Sequence, residues 1–419
     1  MWIFLALVGG ALLVLLIANL TTSEKKIERE IQHLYSVRDP QFARSLGTLL
    51  GPAILPGNCV TPLLNGNQIF PAMLDAIRGA RRTITFETFI YWSGEIGKAF
   101  AQALIARAEA GVEVHVLIDW VGSGRMDRSV IQEMERAGVR VVKYHPLHWY
   151  NLGRLNNRTH RKLLVVDGKT GFTGGVGIAD SWLGNAEDPE HWRDSHFQVE
   201  GPAVAQIQAA FMDNWIEATA GVLHGDDYFP ELTTAGTHRA QMFKSATNEA
   251  SESVRLMYLL SIASAEQSVR IANAYFVPDG LAVTTMVAAQ RRGVQVEIIV
   301  PGRHIDAKLV RRASRSRWEP LLEAGVAIYE YQPTMYHAKM MVVDGLLTSV
   351  GSTNFDNRSF RLNDEANLNV LDAEFAASQI RQFEEDKRRS KQITLEGWRT
   401  RPRRERVVEW LSGLLRLQL

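Results

Sequence analysis

The chain is 419 residues long, 46% hydrophobic and 22% charged, which suits two folded domains and excludes a disordered chain. One cysteine, Cys59, excludes an intramolecular disulfide and a cysteine-rich zinc site, and no HExxH, EF-hand or Walker-loop pattern is present. The formal net charge of +1 hides a split: residues 387–419 hold ten Lys/Arg and three Glu, +7, leaving −6 for the rest, so the body lacks the basic footprint of a nucleic-acid binder while the basic end suits an anionic membrane surface.

Residues 1–20, MWIFLALVGGALLVLLIANL, carry one polar side chain, Asn19. As a helix they would rise roughly 30 Å, the thickness of a bilayer core. No Lys or Arg precedes the run, and IANL is a poor cleavage site, so it reads as an uncleaved transmembrane anchor. Lys25, Lys26 and Arg29 follow it and point to a cytoplasmic body. Residues 21–57 read as a linker with a helical segment.

Beyond residue 57 the chain repeats itself. ARRTITFETFIY (80–91) resembles AEQSVRIANAYF (265–276), GVEVHVLID (111–119) resembles GVQVEIIVP (293–301), and AGVRVVKYHP (137–146) resembles AGVAIYEYQP (324–333). THRKLLVVDG (159–168) and YHAKMMVVDG (336–345) complete the series in the same order, which marks a duplication with halves at 58–222 and 223–392. In the first half, ITFETFIYW reads as a strand, GKAFAQALIARAEAG as a helix ending at Gly111, and VEVHVLID as a strand. The helix RSVIQEMERAG and the strand VRVVKYH follow. Strands alternating with helices predict a largely parallel sheet covered on both faces, hence two α/β/α sandwich domains packed about a pseudo-two-fold axis. His160 comes fourteen positions after Pro146 but His337 only four after Pro333, and the stretch that holds the ten extra residues, LHWYNLGRLNNRT, has the composition of a substrate gate or of a plain surface insertion.

The repeated motif carries the chemistry. Side chains two apart on a strand share a face, so His160 points with Lys162 and His337 with Lys339, while Asp167 and Asp344 have the opposite parity and stand before glycine, as in a turn. Two-fold packing would bring two imidazoles and two ammonium groups to one site. Such ammonium groups suit an anion whose charge persists through the reaction, namely phosphate. One histidine can attack phosphorus while the other protonates the leaving oxygen and later deprotonates the incoming hydroxyl. That is phosphodiester transfer through a covalent phosphohistidine.

At the C-terminus, residues 393–419 form a basic tail. As a helix, 407–419 would put Val407, Val408, Trp410, Leu411, Leu414, Leu415 and Leu417 on one face, with Glu409, Ser412, Gly413 and Arg416 opposite. An interfacial membrane helix and a terminal helix docked on its own domain both fit this pattern.

HAKMMVVDGLLTSVGSTN resembles the signature of the phospholipase D superfamily, His-x-Lys-x4-Asp-x6-Gly-Ser-x-Asn, through His337, Lys339, Asp344, Gly351, Ser352 and Asn354. The first copy keeps His160, Lys162 and Asp167 but has Gly175 and Gly177 in place of Ser and Asn. The resemblance implies a phospholipase D fold and a catalytic set of His160, Lys162, Asp167, His337, Lys339 and Asp344. It also implies phosphate contacts at Ser352, Asn354, Gly175 and Gly177, and histidine-orienting carboxylates at Asp194 and Glu365. The two glycines predict that backbone amides replace side-chain donors in the first half.

LLNGNQIFPAMLDAIRGARRTITFETFIYW, VLIDWVGS, GGVGIADSWLG and GSTNFDNRSFRLNDEANL are similar to bacterial cardiolipin synthases of this superfamily. That similarity implies transfer of a phosphatidyl group between two phosphatidylglycerol molecules at the cell membrane, releasing glycerol, with no metal or other cofactor and no nucleic-acid partner. Hydrolysis to phosphatidic acid, or transfer to another headgroup alcohol, would use the same groups. A membrane-tethered nuclease would also use them, but the acidic body counts against it. A non-catalytic scaffold is disfavoured because both His-Lys sets are intact.

Overall fold

A computed structural model of the chain describes residues 9–10, 27, 29–146, 157–245 and 253–414. The anchor at 1–20 and the gate-like loop at 147–156 therefore fall almost wholly outside the described residues. Among the described residues no helix is long and apolar enough to cross a membrane.

Helix α1 (Pro40–Leu50) precedes β1 (Leu55–Leu64) and α2 (Asn65–Gly79). The first crossover series is β2 (Thr83–Thr88), α3 (Glu95–Glu109), β3 (Glu113–Asp119), α4 (Arg128–Arg136) and β4 (Arg140–Tyr144). The short β5 (Arg158–Thr159) leads into β6 (Leu163–Val166), β7 (Thr170–Gly174), β8 (Ser195–Glu200) and α5 (Ala203–Thr219). The second half opens with β9 (His238–Ser245) and α6 (Ser253–Ala263). It repeats the crossover series as β10 (Ser268–Asn273), α7 (Gly280–Arg291), β11 (Gln295–Pro301), α8 (Lys308–Arg315), α9 (Glu319–Glu323) and β12 (Ala327–Tyr331). There follow β13 (Lys339–Val343), β14 (Leu347–Gly351), α10 (Asn357–Arg361), β15 (Asn363–Leu371), α11 (Ala373–Arg388) and β16 (Ser390–Ile393), and the chain closes with α12 (Leu395–Arg399) and α13 (Arg403–Gly413).

The strands join into one continuous sheet across both halves. From the antiparallel β1–β9 pair outward, the first half runs β8, β7, β6, β2, β3, β4 and the second runs β15, β14, β13, β10, β11, β12, β16. The order is the same apart from the added edge strand, which is how a duplication appears in topology. The sheet is mixed, and this corrects the expectation of a largely parallel one. Along the main path of the sheet only β2–β3–β4 and β10–β11–β12 are parallel ladders, and the two-residue β5 pairs in parallel with β15 off that path. Helical crossovers serve only the β2–β3–β4 and β10–β11–β12 strands; β6–β7 and β13–β14 are joined by three-residue connections, which permit antiparallel pairing alone. The crossover helices end where the glycine pattern places them, with Gly111 and Gly293 in the left-handed region at φ +88° and +95°.

Three apolar clusters hold the layers. Helices α2, α3 and α4 cover one face of the first half, and α1, α6, α7 and α9 cover the same face of the second. On the other face α5 and α11 share a core that includes Phe197, Trp215, Met242, Leu368 and Phe375, so residues of both halves bury one another there. Phe42 and Leu46 of α1 pack into the second-half core, which ties the segment that precedes β1 to the body.

The Asp-Gly pairs form the two hairpin turns. Asp167, Gly168, Asp344 and Gly345 all have positive φ, between 51° and 62°, as a type I′ turn requires. Each aspartate also accepts from three successive backbone amides that open the neighbouring parallel ladder: Arg81, Arg82 and Thr83 for Asp167, and Glu266, Gln267 and Ser268 for Asp344. Asn tolerates the same backbone but cannot serve three donors with one charged group. Asp344 is buried and Asp167 only partly so. Asp344→Asn is therefore expected to cost about 1–3 kcal/mol and Asp167→Asn less, measured by chemical unfolding.

Candidate active site

The histidines are positioned by a strand exchange between the halves. The segment before His160 pairs in parallel with the start of β15, and the His160 amide donates to the Asp364 carbonyl at 2.9 Å. That register brings the Glu365 carboxylate to His160 Nδ1, at 3.0 and 3.1 Å. The second half does the same in reverse. Tyr336 bridges in parallel to Arg193, the His337 amide donates to the Arg193 carbonyl at 2.7 Å, and Asp194 Oδ2 lies 2.7 Å from His337 Nδ1. Each histidine is thus oriented by the carboxylate of the opposite half. A carboxylate at Nδ1 holds the proton on that nitrogen and leaves Nε2 for chemistry.

The lysines complete one buried cluster. Lys162 Nζ donates to the His160 carbonyl at 2.7 Å, and Lys339 Nζ donates to the His337 carbonyl at 2.6 Å while lying 3.1 Å from His337 Nε2. Burial lowers the Lys162 pKa to about 7, opposed by Glu365 and reinforced by Lys339. Burial likewise lowers Lys339 to about 8, against the pull of Asp194 and Glu365. His160 falls to about 4 through burial, opposed by Glu365 and helped by Lys162 and Lys339. Burial, then Lys339, lowers His337, against Asp194. Burial works against ionised Asp194 and Glu365, but the histidine and lysine facing each outweigh it and hold both pKa values below the ordinary carboxylate range. Charges of one half therefore act on groups of the other. Two ammonium groups buried among neutral imidazoles favour an anionic ligand.

The halves hold their carboxylates differently. Glu365 accepts from the hydroxyls of Ser352 and Ser359. Ser352, expected to contact phosphate, thus spends its hydroxyl on Glu365. In the first half a Cβ at Gly175 would collide with Asp194 Oδ1, so the glycine clears the space that the shorter carboxylate occupies. Trp182 supplies the donor missing there, its indole N–H lying 2.9 Å from Asp194 Oδ2. A Cβ at Gly177 would press on Ile90 and the Trp182 ring. The absent side chains make room for Asp194 and Trp182, and the Gly175 amide donates to the Ser195 carbonyl at 3.1 Å. The Asn354 amide donates to the Ser359 hydroxyl.

Asp167 and Asp344 stand apart from this cluster, seven residues along from their histidines and roughly 23 Å away on extended chain. Their partners are the strand-opening amides, so parity placed them better than motif membership did. Several residues near the histidines carry no motif signal. Trp182 and Trp192 rings lie 5.2 and 5.4 Å from the His337 ring, and Phe89 lies 5.2 Å from His160. Tyr275, 6.4 Å from His337, donates its hydroxyl to Asp306, whose charge acts on His337 and Lys339. The one available hint was the aromatic content of the stretches flanking each motif.

A family model described as "Cardiolipin synthase, PLD-like domain" matches residues 73–215 and 258–387, one stretch in each half. Cardiolipin synthase 1 of Bacillus anthracis is 36% identical over 363 residues, covering 84% of this chain and 71% of that protein. The cardiolipin synthase of Geobacillus kaustophilus is 36% identical over 356 residues, with the same shares covered. The crystal structure of phosphatidylserine synthase from Haemophilus influenzae aligns over 90% of this chain and 100% of that one, with a TM-score of 0.64 and 14% identity, a likeness of fold.

Gly175→Ala should push the Asp194 carboxylate off His337 and cost about 1–3 kcal/mol through overpacking. The low-field imidazole N–H resonance of His337 is expected to vanish in that variant while that of His160 remains. Two unchanged resonances would show that the cavity at 175 yields without moving Asp194.

Proposed function

The chain belongs to the cardiolipin synthase, phospholipase D-like family, and on that footing we propose that it is a membrane-bound phosphatidyltransferase making cardiolipin and glycerol from two molecules of phosphatidylglycerol. The observation that carries the reading is the crossed pairing of His160 with Glu365 and His337 with Asp194 around two buried lysines.

In this proposal Nε2 of one histidine attacks phosphorus of the first lipid. The phosphorus bond to the headgroup glycerol breaks, and the other histidine gives that oxygen its proton, releasing glycerol. The second histidine, now neutral, takes the proton of the free glycerol hydroxyl of a second phosphatidylglycerol. That oxygen attacks phosphorus, the phosphorus–nitrogen bond breaks, and cardiolipin leaves. Lys162 and Lys339 neutralise the phosphoryl oxygens throughout, and Asp194 and Glu365 steady each imidazole as it charges. Apolar surface from Trp182 and Trp192 beside His337 disfavours water and so favours an alcohol acceptor.

The proposed organisation is an anchor at 1–20, a connecting segment at 21–57, catalytic halves at 58–222 and 223–392, and a basic tail at 393–419. The anchor keeps the body at the bacterial cell membrane, on its cytoplasmic side by the charges that follow residue 20. The substrate's acyl chains then remain in the bilayer while the headgroup enters the site.

His160→Ala and His337→Ala are each expected to lower turnover of labelled phosphatidylglycerol by about 10³-fold or more, read by mass spectrometry of the lipid products. Near-normal cardiolipin formation in either would exclude the two-histidine route. Phosphatidic acid as the main product would assign hydrolysis, and cleavage of an oligonucleotide without lipid conversion would assign a nuclease. The pH profile supplies a second check. Lys162 and Lys339 bind phosphate only when protonated, so kcat/KM should fall as pH rises through about 7 to 8. An unchanged kcat/KM across that window would separate the lysines from substrate binding.

A further inference from the structure

The C-terminal helix is packed inside out. In α13 the polar Glu409 and Ser412 are buried together with Gly413, whereas Trp410 is 63% exposed, Val407 56%, Leu411 51% and Leu414, at the C-cap, 58%. The orientation is fixed by specific bonds. Glu409 accepts from Arg315 at 2.6 Å and from Arg401 at 3.0 Å. The Arg401 guanidinium lies 3.5 Å over the Trp398 ring, and Arg315 lies 4.9 Å from the same ring. Gly413 lies so close to Ser316 that a Cβ there would meet its hydroxyl. The docked and interfacial readings of the tail are therefore not alternatives, because the helix docks through its polar side and turns its apolar side outward.

We infer that this outward face is a seat for the surface of an anionic phospholipid bilayer. Positions 407, 410, 411 and 414 fall on one stripe, with tryptophan at its centre, which is the composition of an interfacial helix. Exposed Arg403, Arg404 and Arg406 lie at one end of the stripe, and exposed Lys308 and Arg312 project from the helix beneath it. A cleft of about 500 Å³ beside them is lined by Arg401, Arg403, Arg406, Val407 and Trp410 together with Ser316, Glu319 and Glu409; Glu409 is already held by Arg315 and Arg401, which leaves Arg403 and Arg406 beside Val407 and Trp410 to meet a phosphate headgroup joined to an acyl region. The carrier helix α8 begins two residues after Asp306, whose carboxylate holds Tyr275 beside His337. Its eight residues rise about 12 Å, so the seat lies about one short helix from the candidate site. The inference rests on the lipid reading of that site, because it explains how the body is laid against the surface holding its substrate.

The test uses the full-length chain with Cys59→Ser and one of Leu411→Cys, Leu414→Cys or Glu405→Cys. Each cysteine is labelled with an environment-sensitive fluorophore, and the protein is reconstituted into phosphatidylcholine vesicles with or without phosphatidylglycerol. Labels at 411 and 414 should shift to the blue when phosphatidylglycerol is present, the label at 405 should not, and Arg403→Gln with Arg406→Gln should remove the lipid dependence. Emission at 411 and 414 that stays water-like in both vesicles overturns the inference. So does an equal shift at all three positions, or a shift that follows protein concentration in detergent and ignores lipid, which would mean that a second copy covers the face. The readout needs no turnover, so a retained shift without cardiolipin synthesis would sink the proposed activity and leave the seat standing.

Discussion

The fold depends on one exchange: each half lends its carboxylate to the histidine of the other. Glu365 can reach His160 only because the segment at 158–159 runs parallel to the start of β15, and Asp194 reaches His337 through the matching bridge from Arg193 to Tyr336. Neither half could orient its own imidazole in this way. The continuous sheet and the core shared by α5 and α11 are what hold the two exchanges in register. A relative shift of the halves by one residue would reverse strand parity and take both carboxylates off their histidines.

The exchange also accounts for the divergence of the two copies. A long carboxylate with a serine beneath it, Glu365 with Ser352, fills the same space as a short carboxylate over a glycine, Asp194 with Gly175. The donor lost with the serine returns from outside the motif, as the indole of Trp182. Gly175 is thus half of a compensated pair, with Asp194 as the other half. Two indoles, Trp182 and Trp192, flank His337 where the single ring of Phe89 flanks His160, so the copies are alike in geometry but unlike in environment.

Much of this was legible in the sequence because the duplication doubles every signal. The paired His-Lys spacings, the glycine-ended helices and the crossover strands all occur twice, and parity alone separated Asp167 and Asp344 from the lysines. The antiparallel half of the sheet was misread because an apolar run such as LLVV gives no direction; the Asp-Gly turns after each run held that information. Which carboxylate serves which histidine depends on pairing between residues about 205 and 143 positions apart, and no local pattern encodes it. The tail kept two readings open for a different reason. Its amphipathic pattern was correct, but a hydrophobic stripe says which face is apolar and not which face docks, and here a buried glutamate between two arginines decides the matter.

The charge balance at the histidines explains why the site would prefer a phosphodiester to other esters. Lys162 and Lys339 contribute two positive charges, and Asp194 and Glu365, held ionised by their neighbours, contribute two negative ones. With both imidazoles neutral the cluster sums to zero, yet burial brings the ammonium groups to the edge of losing their protons. A phosphodiester brings a negative charge that persists before, during and after transfer, so it stabilises both lysines in every state and favours protonation of one imidazole as the acid. A carboxylic ester carries no such charge in its ground state and would leave the lysines as costly to bury as they are in the empty site. The burial that penalises the empty cluster is therefore also the source of its selectivity for an anion.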